Sequence, residues 1–537
     1  MTGRSVVTVA GTTRRGFLGG TLAGGGVLVG GKVLDVPGTP AECPPPLGPV
    51  SVGADDPRYA ELVSRGRNGR FVGRPESVHL VGSTDQVVRI VGDAVRAGKR
   101  VTVRSGGHCY ENFVDDPDVR VLIDLSEMRS VYFDPGRKAF AVEAGATLGE
   151  VYRTLYLGWG VTVPGGSCPS VGVGGHIAGG GYGPLSRRYG LAADHLYAVE
   201  VVVVDAAGRA RAVVATADAS DPNRDLWWAH TGGGGGNFGI VTRYWLRSPD
   251  ARGASPTGLL PKPPGTLVSA SVSWQWTGLT EQAFTGIVRN YGTWHASNTG
   301  PGSPYAGLMS GMTLAHRENG ALTVHGSLDA EEPGAGQLLE RFVKEMAKGA
   351  DVPPTSHTTR SPWLKATLSV PQGIGTVSFK VKSGFLRRPW SDRQIAVLHR
   401  FLTESGGDRW GTSVNLTLLG GRMNAARPAT AMPHRDALFS AVYETMWGDP
   451  AGAESQLKWI REFYRDLHQD TGGVPAPGPA NAGAYINYPD VDLADPRWNT
   501  SGVPWQTLYY GSNYPALQRA KKRWDPRNVF HHALGIR

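Results

Sequence analysis

Between residues 77 and 104 the hydrophobic period changes twice. Val78-His79-Leu80-Val81 reads as a strand, residues 85–97 carry apolar side chains at helical spacing, and residues 100–103 return to a strand. Ser83 or Thr84 is placed to cap that helix, because a hydroxyl there can accept from the open N–H groups of the first turn. Short strands are expected at 119–124, 139–142 and 198–204. The last is almost uninterruptedly apolar, the mark of a strand buried on both faces. Alternation recurs at 267–276, 321–328 and 414–419, and helical spacing at 338–347, 393–402 and 454–470. Short strands and helices mixed in this way imply an α+β fold.

Composition narrows the class. The 537 residues are 40% hydrophobic and 19% charged, enough for a sizeable core. The 75 glycines are roughly twice the usual ~7% share, and they cluster in a few loops. Net charge is +9, but the basic groups, such as 519–523 and Arg387-Arg388, are short and interleaved with uncharged residues. They read as solvated faces, so no nucleic-acid partner is expected; a general positive field can still help attract an anionic substrate.

The N-terminus carries Thr13-Arg14-Arg15-Gly16-Phe17-Leu18 before a mild, glycine-rich stretch to residue 31. This is similar to a twin-arginine export signal, too short and mild to span a membrane. Secretion is expected, or a cytoplasmic location if the leader does not function. A proline-rich linker over 36–49 follows, so residues 1–49 form leader and linker. No CxxC pair or HExxH motif supports a metal site.

Two loops stand out. Gly106-Gly107-His108 and Gly166-Ser167-Cys168 each present a nucleophilic side chain after a strand-like run. Glycine allows close backbone approach to a large flat ligand. An imidazole and a thiol so placed are suited to capturing an electrophilic cofactor covalently. Gly234 to Gly239 formally satisfies GxGxxG, but the flanking segments are not a strand before and a helix after, so a nicotinamide dinucleotide site is rejected.

Arg104-Ser105-Gly106-Gly107-His108-Cys109-Tyr110-Glu111 resembles the histidyl-flavin loop of the berberine-bridge-enzyme-like FAD-linked oxidases, and Gly165 to His176 resembles their cysteinyl-flavin loop. Gly179-Gly180-Gly181-Tyr182-Gly183, Asp225-Leu226-Trp227-Trp228, Tyr485-Ile486-Asn487-Tyr488 and Asp525-Pro526-Arg527-Asn528-Val529-Phe530 follow in family order. Within the family the chain is most similar to actinomycete hexose oxidases of lipoglycopeptide biosynthesis.

The resemblance implies a PCMH-type FAD-binding domain at 50–250, a substrate domain of antiparallel sheet and helices at 251–480, and a segment at 481–537 that returns to the FAD domain. It implies FAD bound covalently through His108 and Cys168, with Arg104, Ser105, Gly106 and Gly107 cradling the pyrophosphate. Val171, Gly172, Gly174, Gly175, His176, Gly179, Gly235, Gly239, Val241, Tyr485, Asn487 and Asn513 are expected around the cofactor. A small residue at Val171 resembles the oxygen-using members. If Cys168 holds flavin, Cys43 and Cys109 remain, either paired or as free thiols.

Alcohol oxidation by hydride transfer needs a base for the hydroxyl proton. A free tyrosine, at ~10, is a poor one at neutral pH unless cations or hydrogen bonds favour the phenolate. Residues 485–488 read as a short strand stopped by Pro489, with Tyr485 and Tyr488 on opposite faces. The pattern does not choose between them; the resemblance assigns the base to Tyr488 and a second active-site tyrosine to Tyr182. The expected activity is oxidation of an alcohol on a sugar or glycosylated natural product, with O2 reduced to H2O2. Two alternatives stand beside it: a tailoring oxidase acting on an alkaloid- or polyketide-type substrate, and an exported carbohydrate-binding protein without activity.

Overall fold

The computed structural model describes residues 47–537 except 301, 351, 371–376, 407–408 and 425–429. The twin-arginine-like leader and Cys43 therefore lie outside the described residues. Strands β1 (Val50–Gly53), β2 (Ser77–Leu80), β3 (Val101–Arg104) and β4 (Val121–Asp124) form a four-stranded sheet in the order β1-β2-β4-β3. Its last three strands run parallel, which is possible because helix α1 (Thr84–Arg96) supplies the crossover from β2 to β3. Ser83, one of the two expected caps, fills that position: its Oγ accepts from the Gln86 N–H at 3.4 Å.

Strands β5 (Val131–Asp134), β6 (Ala139–Glu143), β7 (Leu196–Val204), β8 (Ala210–Thr216) and β9 (Ile240–Leu246) form an antiparallel sheet in the order β5-β6-β9-β7-β8. The apolar run expected to be covered on both faces is β7, whose Val199 and Val201 to Val204 are at most 1% exposed.

The third sheet has eight antiparallel strands: β10 (Thr266–Gln275), β11 (Met309–Ala315), β12 (Ala321–Asp329), β13 (Thr355–Pro362), β14 (Ser378–Leu386), β15 (Ser413–Leu418), β16 (Phe439–Trp447) and β17 (Asn481–Gly483). Their order is β13-β10-β12-β11-β15-β16-β14-β17. One face alternates Val272 and Trp274 with Val324, Leu416 and other fully buried side chains, and it carries helices including Ala335–Met346 and Ala453–Leu467. The opposite face presents Ser269, Ser327, Asn415 and Thr417. This alternation, apolar toward helices and polar toward a cleft, makes one wall of that cleft polar.

The chain leaves the large sheet after Gly483 and returns to the first part of the fold. In the helix Tyr514–Trp524, Lys521 Nζ donates to the Asn237 carbonyl at 2.7 Å and Trp524 Nε1 to Asp225 at 3.1 Å. Ile536 N–H donates to Asn237 Oδ1 at 2.9 Å. No helix among the described residues is long and apolar enough to cross a membrane.

Candidate active site

The histidine loop begins where β3 ends, and the cysteine loop follows helix α2 (Leu148–Trp159). The two cross back to back at glycines. A Cβ on Gly106 would lie 2.3 Å from the Gly172 nitrogen, and one on Gly172 would lie 2.2 Å from the Gly106 nitrogen. No side chain fits at either position. The open N-terminus of α2 holds the cysteine loop: Leu148 N–H donates to Val171 O and Gly149 N–H to Pro169 O, both at 2.9 Å.

His108 and Cys168 consequently meet at one hydroxyl. Ser170 Oγ lies 2.9 Å from His108 Nε2 and 3.3 Å from Cys168 Sγ. Burial, assisted by the Arg67 charge, holds the His108 imidazole down at about 4, so it is neutral at physiological pH and keeps a nitrogen lone pair. Burial pushes the neighbouring Cys109 thiol up to about 12, which keeps it protonated.

The tyrosines converge from the other side. Residues 485–488 are not the expected strand but a turn, closed by Tyr488 N–H donating to Tyr485 O at 2.9 Å. The chain has just left β17, and Pro489 bars further ladder pairing. The two rings therefore meet, 5.1 Å apart and perpendicular, instead of facing opposite ways. Tyr182 Oη donates to Tyr488 Oη at 3.2 Å and lies 2.8 Å from Ser440 Oγ. With the Tyr182 proton spent on Tyr488, Ser440 is the donor to Tyr182. Tyr110 stacks on Tyr488 at 5.5 Å and 9°. Burial raises the Tyr488 phenol above its ordinary value; the Tyr182 hydrogen bond opposes this, while Glu444 and Cys168 add to it. The phenolate is favoured by a hydroxyl chain.

Behind Tyr488 sits a buried ion cluster. Lys380 on β14 pairs with Glu111 of the histidine loop and with Asp490 at 2.7 Å. Lys382 reaches Asp490 at 2.7 Å and Asp492 at 2.8 Å, and Arg461 reaches Asp492 at 2.8 Å. Burial disfavours the Lys380 charge, but Asp490 and Glu111 outweigh it and raise the ammonium above its usual value. Burial likewise opposes the Asp492 carboxylate; Lys382, Lys380 and Arg461 outweigh it and hold the group below the usual carboxylate range. The cluster ties the histidine loop and the Tyr488 turn to the eight-stranded sheet.

One cavity of about 870 Å3 is lined by every expected site residue except Gly179 and Asn513. Gly179 instead lies against Asn487, whose Oδ1 a Cβ there would meet at 2.1 Å. Asn513 Nδ2 donates to the Ala431 carbonyl at 3.1 Å. Arg104 lines the cavity, but its guanidinium is paired with Asp124 at 2.8 Å. His176 braces the cysteine loop: burial lowers it to about 4, and its Nε2 accepts from Gly166 N–H at 3.1 Å. Sequence reasoning missed Ser170, Tyr110 and Ser440. The first two lie within the quoted loop motifs, two residues past Cys168 and His108, where the spacing could have marked them. Ser440 is a lone hydroxyl on the apolar start of β16 and gave no such signal.

The FAD binding domain family matches residues 75–212, and the berberine and berberine-like family matches residues 484–537. The chain is 53% identical to an aclacinomycin-N/aclacinomycin-A oxidase of Streptomyces galilaeus, over 98% of each chain. The chain belongs to the berberine-bridge-enzyme-like FAD-linked oxidases. Two solved members of this FAD-linked oxidase fold compare closely. A glycopeptide hexose oxidase complexed with teicoplanin is 49% identical with a TM-score of 0.87, covering 92% of this chain and 100% of the other. A flavoenzyme of shunt product recycling in caerulomycin biosynthesis is 52% identical with a TM-score of 0.88, covering 91% and 99%.

The cavity suits the family's cofactor. A Cβ on Gly175 would meet nothing within 4 Å, and one on Gly235 would meet only the Gly175 Cα, at 3.8 Å, so both backbones border open space. His532, stacked on Phe113 at 4.0 Å, brings a buried imidazole to the same wall beside Gly235. Glycine cradle, buried imidazole and paired nucleophiles fit FAD, and the chain is an FAD-dependent oxidoreductase.

Proposed function

We propose that this oxidase removes a hydride from an alcohol carbon of a sugar or glycosylated natural product, with FAD joined to His108 and Cys168. The observation that carries the reading is the Ser440–Tyr182–Tyr488 hydroxyl chain opening onto the cavity that holds both nucleophiles. Bound there, FAD supplies the hydride acceptor and passes the electrons to O2, giving H2O2. Tyr488, as the phenolate held by the Tyr182 hydroxyl that Ser440 backs, takes the substrate hydroxyl proton as the hydride leaves carbon. Val171, half-buried on the cavity wall, leaves room that a larger side chain would fill.

The polar sheet face supports a hydroxylated substrate, and Trp363, Ala366 and Val370 add an apolar flank suited to an aglycone. No Asp, Glu or Lys lines the cavity among the described residues, and the Arg104 charge is neutralised by Asp124. A neutral substrate therefore fits better than an anionic one. The apolar flank also favours a second reading, tailoring of a non-glycosylated aromatic product.

Peroxide release across a panel of sugars and glycosides, set against phenols and amines, tests the assignment. Turnover confined to phenols or amines would replace the first reading by the second. The leader-directed secretion is part of the proposal, checked by whether Arg14→Lys with Arg15→Lys keeps the protein inside the cell.

A further inference from the structure

The geometry points to Ser170 as a positioning residue for covalent cofactor capture: one hydroxyl sets the tautomer of His108 and stabilises the sulfur of Cys168 together. The inference rests on the covalent-flavin reading above. Ser170 has one proton and two lone pairs, and two neighbours lie at hydrogen-bonding distance from its Oγ, His108 Nε2 at 2.9 Å and Cys168 Sγ at 3.3 Å. Two directions of donation are open along this chain. In one, the thiol donates to Ser170 and Ser170 donates to Nε2, which puts the imidazole proton on Nδ1 and leaves neither nucleophile ready. In the other, Nε2–H donates to Ser170 and Ser170 donates to the sulfur. The Nδ1 lone pair is then available, and the sulfur accepts the Ser170 O–H, a hydrogen bond that strengthens as negative charge develops on sulfur during the attack.

Only the second direction prepares both bonds, and two features of the fold keep it accessible. Burial keeps His108 neutral, so the ring carries one proton and can place it on Nε2. The glycine crossing at Gly106 and Gly172 fixes the distance between the loops, since neither can be moved apart or filled without moving the other. Pro169 O and Val171 O, on either side of Ser170, are each tied to the N-terminus of α2, so the serine is held from both flanks.

The bond inventory closes with dioxygen as oxidant. Joining His108 Nδ1 to the 8α carbon of the flavin breaks one C–H bond and releases the Nε2 proton into Ser170. Joining Cys168 Sγ to C6 breaks one C–H bond and the S–H bond. Each linkage removes two hydrogens, which one O2 accepts as H2O2.

The test reads attachment rather than turnover. Wild-type, Ser170→Ala and Ser170→Thr chains are harvested at intervals after induction and acid-precipitated. They are weighed intact and mapped for the peptides bearing His108 and Cys168. Losing a hydrogen bond to the sulfur as charge develops on it slows its linkage by roughly ten- to a hundredfold. Ser170→Ala is therefore expected to accumulate chains with the Cys168 peptide unmodified, while Ser170→Thr, which keeps the hydroxyl, restores the doubly linked product. Attachment in Ser170→Ala at the wild-type rate at both sites overturns the inference and leaves the covalent reading intact. So does failure of the threonine chain to rescue. A wild-type chain with no attached flavin overturns the covalent reading itself, and with it the inference.

Discussion

Replacing Tyr182 by Phe deletes a hydroxyl that donates to Tyr488 while keeping the ring against Phe385 and Tyr485, 6.2 and 5.1 Å away. Burial already raises the Tyr488 phenol. Below that raised value the phenolate fraction falls tenfold for each unit of pH, so kcat/KM should climb with unit slope across the neutral range. A hydrogen bond to a charged acceptor contributes about 1.5–3 kcal/mol, and at 3.2 Å the lower end applies. That displaces the profile upward by about one pH unit, since 1.36 kcal/mol corresponds to one unit. Peroxide release with the best glycoside of the panel, measured from pH 6 upward, should give two parallel lines separated about tenfold. Coincident profiles would refute the argument that Tyr182 stabilises the phenolate. So would a loss that leaves the slope flat in both proteins.

Tyr488→Phe removes the proposed base and should lower kcat by about 10²–10⁴ while the purified protein stays yellow. Gly106→Ala places a Cβ 2.3 Å from the Gly172 nitrogen, more than an ångström inside ordinary contact; the loops must part, and purified protein should carry substantially less attached flavin by absorbance. Lys380→Met leaves Glu111 and Asp490 short of a buried partner and should cost about 3–5 kcal/mol, read as a lower urea midpoint. Asp492 is held below its ordinary range, so its stabilisation is complete above the unfolded carboxylate value and is lost as pH falls. The melting temperature should decline below about pH 4.

Much of the fold was legible where one period ran long enough to be unambiguous. Helix α1 and strand β7 fall within a few residues of their expected places because a 3.6-residue stripe and an almost uninterrupted apolar run each exclude the alternatives. The His108 and Cys168 loops were legible through glycine, whose clustering marks where backbones must approach closely. Four residues before a proline do not separate strand from turn, and Tyr485 to Tyr488 went the other way. Lys380 and Lys382 gave no local sign of being interior. They are 1% exposed because Glu111, Asp490, Asp492 and Arg461 arrive from distant parts of the chain. Ser440 meets Tyr182 only once β16 is in place, so no local pattern reveals the hydroxyl chain.

The most direct measurement is the intact mass and visible spectrum of acid-denatured, washed wild-type protein. Doubly linked flavin predicts a yellow pellet and a mass equal to the polypeptide plus one FAD, less the two hydrogens lost at each of His108 and Cys168. A colourless pellet with the mass of bare polypeptide would contradict the account.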